Sequence, residues 1–128
     1  MKKTKFKNTV NLAEIKFGSK IIYKTDEFFG AANRILNSTE PVFKEGVYDK
    51  HGKWMDGWET RRKRKKGHDF LIIKLGRPGK IFNVDIDTSF FSGNQPSQTS
   101  LEACLSKKNP TKKTTWKTIL NKKKLGPD

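Results

Sequence analysis

The sequence has one cysteine, no long apolar run and no apolar signal core, and each shortage excludes a class of protein. Cys104 is the single cysteine, so the chain can form neither an internal disulfide nor a zinc site built from cysteines. No apolar run approaches the roughly 20 residues that span a bilayer. No apolar signal core follows the basic N-terminus. These shortages predict a cytoplasmic protein without a membrane partner.

Basic residues outnumber acidic residues about two to one in this chain. The chain has 28 Lys and Arg against 13 Asp and Glu, which gives a net charge of +15. Five of the basic residues are arginine, and the other 23 are lysines spread over both ends and the middle. Nucleic-acid binders concentrate such residues on one face or helix. The spread therefore favours a lysine-rich solvated surface over a nucleic-acid interface, and polyanion binding is kept as an alternative.

Short apolar stretches separated by turn signals predict an all-β fold. The expected strands lie at residues 21–23, 69–75, 80–87 with a continuation to 91, 100–105 and 116–120, and one short helix is expected at 30–36. The stretch at 69–75 is apolar on both faces, which predicts a central, covered strand. Strands of this length at regular spacing indicate a β-sandwich.

One sandwich domain is expected over residues 11–128, after a flexible basic N-terminus at 1–10. Residues 42–68 predict a long connection, and a loop of that length is usually functional. Its tryptophans argue against disorder. Residues 125–128 read as a turn after a strand, so we expect the sandwich to lack its closing strands.

Aromatic, acidic and basic side chains are most concentrated at residues 52–64, which read Gly-Lys-Trp-Met-Asp-Gly-Trp-Glu-Thr-Arg-Arg-Lys-Arg. Tryptophan offers an apolar wall, and arginine offers a planar fork for a carboxylate. Aspartate and glutamate can transfer protons. The segment therefore predicts a pocket for a small, anionic, hydrogen-bonding substrate.

Several stretches carry a resemblance to a known family. Besides residues 52–64, they are Asn-Leu-Ala at 11–13, Thr-Asp-Glu-Phe-Phe at 25–29, Gly-His-Asp-Phe at 67–70 and Val-Asp-Ile-Asp-Thr-Ser-Phe-Phe-Ser-Gly-Asn at 84–94. On these residues the chain resembles the allantoicase repeat over roughly residues 11–128. The resemblance implies a galactose-binding-like jelly-roll sandwich, in a family whose complete members carry two repeats.

The resemblance also implies an activity, namely hydrolysis of allantoate to ureidoglycolate and urea in purine catabolism. It implies allantoate as the small-molecule substrate and a second repeat, or further copies of the chain, as partners. No cofactor is certain, and a weakly bound divalent cation stays open. The alternative functions are a non-catalytic jelly-roll module that binds an anion or a carbohydrate, and a fragment that is inactive on its own.

Cleavage of one C–N bond of allantoate requires a clamp for its carboxylate, a proton for the departing urea and a base for water. Arg61 and Arg62 are the predicted clamp, with a solvated loop pair as the alternative. Asp56 and Glu59 are the predicted acid and base, because neighbouring tryptophans can desolvate them. They can equally cap turns or pair with the arginines. His68 is a second proton-transfer candidate.

Five further residues complete the predicted substrate site. Trp54 and Trp58 are either pocket walls or loop anchors. Asp85 and Asp87 share one face of the predicted strand at 80–87, where they can bind ureido N–H groups or a divalent cation. Asn94, on the following turn, can bond a ureido arm, although turn chemistry explains it as easily.

Overall fold

Strands make up most of the regular structure in the computed structural model, which describes residues 6–127. In that range the strands are β1 (Lys20–Lys24), β2 (Tyr48–Asp49), β3 (Gly52–Lys53), β4 (Leu71–Lys74), β5 (Gln98–Ala103) and β6 (Lys117–Lys124). Short 3-10 helices cover Ile15–Phe17 and Ala32–Leu36. The all-β class is therefore confirmed, whereas the jelly-roll arrangement stays a prediction. No helix in the described range has the length and apolarity that a membrane crossing requires.

The chain divides into two units, residues 1–84 and 85–128. The first unit contains β1 to β4, and the second contains β5 and β6. Each unit pairs its strands in two-stranded antiparallel sheets, β1 with β4, β2 with β3, and β5 with β6. The single domain over 11–128 and the flexible N-terminus at 1–10 stay predictions, and residues 1–5 lie outside the described range.

A bulge interrupts the β1–β4 pair. Ile21 pairs with Ile73 and Tyr23 with Ile72, so Ile22 is the extra residue. The apolar run of β4 predicts a central strand, and this is wrong for the described chain. β4 pairs there with β1 alone, and Leu71 through Ile73 are half-buried. An apolar run shows that both faces of a strand can be buried. It does not show that the elements that bury them belong to the same stretch of chain.

Ser19 ties the ends of β1 and β4 together. Its hydroxyl donates to the Leu12 carbonyl at 2.6 Å and accepts the Gly76 N–H at 3.0 Å. A side chain at position 76 would overlap the carbonyl of Phe17, so the close backbone approach needs glycine there. Ser19 is buried with both bonds made, which satisfies its polar atom inside the unit.

Residues 80–87 form no strand, contrary to the prediction from their alternating pattern. Phe82 and Val84 are 71% and 41% exposed. Alternation sets which side chains share a face, but a strand also needs a neighbour that accepts its ladder of hydrogen bonds. No described strand provides one for this segment.

The long connection at 42–68 contains a hairpin that the sequence pattern does not predict. β2 and β3 pair Tyr48 with Lys53 and Asp49 with Gly52, which leaves Lys50 and His51 at the tip. Gly52 has a φ of 107°, a conformation open to glycine at little cost. The carboxylate of Asp49 accepts the His51 N–H at 2.8 Å and closes the turn.

The second unit is a single strand pair with two register shifts. Leu101 faces Leu120, and Ala103 faces Lys117. The predicted strands at 100–105 and 116–120 are present at Gln98–Ala103 and Lys117–Lys124. The Leu125 N–H donates to the Ser97 carbonyl at 3.0 Å, which holds the chain beyond β6 against the start of β5.

The buried apolar core of the described chain is small. It consists of Ala32, Leu36 and Met55, and Leu36 is the largest fully buried side chain. Leu105, in contrast, is 90% exposed. Two of the three buried apolar residues therefore lie on the Ala32–Leu36 helix.

Leu36→Ala and Leu105→Ala are a matched pair that tests this core. We expect Leu36→Ala to lower the free energy of unfolding by about 2–5 kcal/mol, because it opens a cavity. Leu105→Ala should change it by less than about 0.5 kcal/mol, because an exposed side chain loses little packing. Denaturant unfolding followed by tryptophan fluorescence measures both. Equal losses in the two variants would contradict this description of the core.

Candidate functional site

Asp26 fastens residues 58–61, the Trp–Arg segment, to the chain just after β1. Its Oδ2 accepts the N–H groups of Arg61 at 2.7 Å and Phe28 at 3.2 Å. Its Oδ1 accepts Nε of Arg61 at 3.1 Å and lies 3.1 Å from the Arg61 Nη2. The carbonyl of Asp26 accepts Nε1–H of Trp58 at 2.7 Å. One residue therefore positions both Trp58 and Arg61.

Backbone bonds hold the same segment in place. The N–H groups of Phe29 and Gly30 donate to the Glu59 carbonyl at 3.1 and 3.0 Å, and the Glu59 N–H donates to the Gly30 carbonyl at 3.1 Å. A Cβ at position 30 would lie 2.6 Å from the Gly57 carbonyl oxygen. Glycine at position 30 is therefore what lets the two backbones meet.

Among the predicted acid and clamp residues, the side chains of Asp56 and Arg61 have partners in the structure. Oδ2 of Asp56 accepts the Val42 N–H at 2.9 Å, as expected of a carboxylate that stabilises a loop. The Arg61 guanidinium pairs with Asp26 and lies 5.3 Å from the Phe28 ring centroid. Arg62 is exposed and lines an open depression with residues 63–66.

The two tryptophans make different contacts. The ring of Trp54 lies 4.6 Å from Nζ of Lys44 and 5.7 Å from Cζ of Arg34, both cation–π distances. Trp58 is bonded to Asp26. These contacts support the loop-anchor alternative for both rings. His68 is exposed, with its ring 6.1 Å from that of Phe70.

Asp85, Asp87 and Asn94 belong to the second unit and have exposed side chains. The predicted shared strand face of Asp85 and Asp87 is wrong, because residues 80–87 form no strand. Oδ1 of Asp87 accepts the N–H and the hydroxyl of Ser89 at 2.8 and 2.5 Å, which is the geometry of a turn. Within residues 6–127, no group of three or more His, Cys, Asp or Glu is placed to hold a metal ion.

A cleft of about 910 Å³ lies in the first unit, beside β1, the Ala32–Leu36 helix and the hairpin tip. Its lining residues are Ile15, Ser19, Lys20, Ile21, Lys24, Glu27, Ala31, Asn33, Arg34, Leu36, Asp49, Lys50 and His51. None of residues 54–62 lines it. The cleft is therefore separate from the predicted tryptophan pocket.

Ion pairs account for two of the four strong cations in this basic cleft. Nζ of Lys24 lies 3.3 Å from Oε1 of Glu27, and Arg34 pairs with Asp49. Lys20 and Lys50 are paired with no carboxylate in the described chain. The cleft therefore has a net positive charge, which attracts anions.

Both carboxylates of the basic cleft are fixed and ionised. The Ala32 N–H, at 2.8 Å, is the main cause that lowers the pKa of Glu27, with Lys24 adding to it against burial. The His51 N–H is the main cause that lowers the pKa of Asp49, with the Arg34 guanidinium adding to it. Both groups are structural anchors of the cleft wall.

Sequence reasoning missed Lys20, Lys50 and His51. One local signal was available, since Asp at the first position and Gly at the fourth position of a four-residue stretch favour a type I turn. That signal would have placed Lys50 and His51 at a hairpin tip. Nothing local links the tip to Lys20, because strand and loop packing brings them to one cleft across 30 positions of sequence.

The family model of the allantoicase repeat matches residues 10–128. The probable allantoicase of Pseudomonas fluorescens strain SBW25 is 54% identical over 117 residues, which cover 91% of this chain and 35% of that protein. The probable allantoicase of Rhizobium meliloti strain 1021 is 48% identical over 120 residues, 94% of this chain and 35% of that protein. The chain thus spans about a third of the length of these curated relatives.

Solved structures give the same match. An allantoicase structure superposes with a TM-score of 0.72 at 30% identity, and the crystal structure of allantoicase from Saccharomyces cerevisiae with 0.70 at 29% identity. Each covers 92% of this chain and 36% of the solved chain. The likeness in sequence therefore extends to the backbone.

Acid should destabilise the first unit through Asp26. Burial alone would raise the pKa of Asp26, but the N–H groups of Arg61 and Phe28 and the Arg61 guanidinium bring it below its ordinary 3.8. A lowered folded pKa adds stability above the ordinary value, and this stability is lost as pH falls through the folded pKa. Glu27 and Asp49 act in the same direction.

We therefore expect the free energy of unfolding to fall as pH drops below about 4. Asp26→Asn should be less stable than the parent at neutral pH and should lose less on acidification. Glu45→Gln, which removes an exposed carboxylate, is the control and should follow the parent. Denaturant unfolding between about pH 2 and 6 measures all three, and parallel curves for Asp26→Asn and the parent would count against the role of Asp26.

Proposed function

The chain belongs to the allantoicase family, and on that basis we propose that it forms part of an enzyme that hydrolyses allantoate to ureidoglycolate and urea in purine catabolism. The match over residues 10–128 carries the proposal. Because the chain spans only 35% of its relatives, the activity is proposed for an assembled enzyme to which this chain contributes one repeat.

A second allantoicase repeat, or a further copy of the chain, is the proposed partner. Apolar side chains such as Leu105, Phe82 and Tyr48 are 90%, 71% and 72% exposed, whereas three apolar residues form the described core. A partner that covered such side chains would add apolar burial, which is the main favourable term in most protein association. A two-stranded pair such as β5–β6 is also marginal without further packing.

Charge supports an anionic substrate. Allantoate carries one carboxylate, and the chain has a net charge of +15. A positive surface raises the local concentration of an anion and its rate of association. A cytoplasmic location belongs to the same proposal, since one cysteine offers no internal disulfide to an oxidising compartment.

Urea release is the direct test. The chain would be assayed with allantoate alone and together with a separate polypeptide that supplies the rest of the Pseudomonas fluorescens relative. We expect urea from the mixture and little from the chain alone, because the partner surface is then missing. No urea from the mixture would defeat the proposal, and stabilisation by allantoate without turnover would favour a binding module. Equal activity without the second polypeptide would show that a second repeat is not required and would leave a further copy of this chain as the partner.

Arg61→Ala tests the predicted carboxylate clamp. The Arg61 side chain is 66% exposed and already paired with Asp26. We expect its removal to lower the free energy of unfolding by less than about 1 kcal/mol, as for a surface ion pair. Urea release should stay within a few-fold of the parent, because the guanidinium is committed to Asp26. Loss of urea release at unchanged stability would instead support the clamp.

A further inference from the structure

Two ammonium groups in the basic cleft are available to an incoming anion. Lys20 stands at the start of β1 and Lys50 at the hairpin tip, and both line the cleft. The other two strong cations, Lys24 and Arg34, are already paired with carboxylates. At about 910 Å³ the cleft is within the usual size of small-molecule sites. Its charge and size therefore suit a small carboxylate.

His51 lines the same cleft and is held in one orientation. Its Nδ1 lies 3.0 Å from the Phe28 carbonyl oxygen. A carbonyl oxygen only accepts hydrogen bonds, so Nδ1 must carry the proton. In the neutral ring Nε2 then has the lone pair and can accept a proton. Asp49, itself paired with Arg34, fixes the backbone of His51.

We propose that the basic cleft binds the substrate carboxylate through Lys20 and Lys50, and that Nε2 of His51 transfers the proton in C–N cleavage. This inference rests on the proposed function. Water oxygen bonds to the central carbon and gives one proton to Nε2. The bond from that carbon to one ureido nitrogen breaks, and its electron pair stays on nitrogen. Nitrogen then takes the proton, so urea leaves and the imidazole returns to its neutral form.

His51→Asn separates proton transfer from structure. The Asn amide can still donate to the Phe28 carbonyl, as Nδ1 does, but it has no counterpart of Nε2. In the two-polypeptide mixture that releases urea, we expect kcat to fall about 100-fold or more with KM within a few-fold. The melting temperature should stay at the parent value. Added imidazole should restore part of the activity of His51→Ala, which a purely structural role would not allow.

Lys50→Ala tests the anion contact and has a matched control in Lys53→Ala. Lys53 is on the same hairpin but does not line the cleft. We expect Lys50→Ala to raise KM for allantoate about tenfold and Lys53→Ala to leave it unchanged. Equal effects would show that general charge attracts the substrate, and would overturn the proposed contact.

The outcomes separate the inference from the function on which it rests. A mixture that releases no urea defeats the proposed function and this inference with it. If the parent mixture releases urea and His51→Asn keeps the full kcat, the inference is wrong and the proposed function stands. A loss confined to His68→Asn would transfer the role to the histidine that the sequence predicts.

The ring tautomer gives a readout that does not need turnover. The 128-residue chain contains two histidines, so 15N-histidine labelling of this chain in the mixture gives two sets of ring signals. The His68→Asn variant assigns them. At a pH where imidazoles are neutral, we expect the proton of His51 on Nδ1. A neutral ring protonated on Nε2 would overturn the inference whatever the kinetics.

Discussion

The bonds made by Asp26 are the constraint on which the rest of the first unit depends. Its carboxylate accepts the N–H groups of Phe28 and Arg61, and its carbonyl accepts the indole N–H of Trp58. The first of these bonds shapes the turn that presents the Phe28 carbonyl to His51. One residue thus anchors the Trp–Arg segment and, through the next turn, the imidazole at the hairpin tip. Burial raises the pKa of Asp26, but the hydrogen-bond donors around its carboxylate outweigh this cost of desolvation.

Polar contacts position several segments of the described chain, but its apolar core is small. Its buried apolar residues are Ala32, Leu36 and Met55, all in the first unit. Hydrogen bonds with a net value of about 1 kcal/mol each cannot replace a core, because most of their energy is already available from water. The exposed apolar side chains are therefore informative. In the proposed assembly, a second repeat would cover some of them and add apolar burial that the described chain lacks.

Strands with apolar patterns and flanking turns could be predicted from the sequence, and β1, β4, β5 and β6 are all present. The β2–β3 hairpin could not, because it is charged and is defined by an Asp turn and a glycine. The strand predicted at residues 80–87 is wrong for the opposite reason. These residues have the alternating pattern, but no described strand pairs with them. The site is harder still. Residues 52–64 are unusual in composition, yet several of their side chains hold loops in place. The basic cleft is lined instead by residues such as Lys20 and Lys50, which no sequence motif distinguishes.

The charged groups of the basic cleft have different roles because they have different partners. Glu27 and Asp49 accept backbone N–H groups and pair with cations, and each has a lowered pKa. A carboxylate stabilised in its ionised form is a weak proton acceptor at neutral pH, because an efficient base has a pKa near the working pH. Imidazole is the side chain whose ordinary pKa lies near neutrality. Within this cleft the carboxylates therefore fix the geometry, the lysines supply the charge, and proton transfer is left to His51.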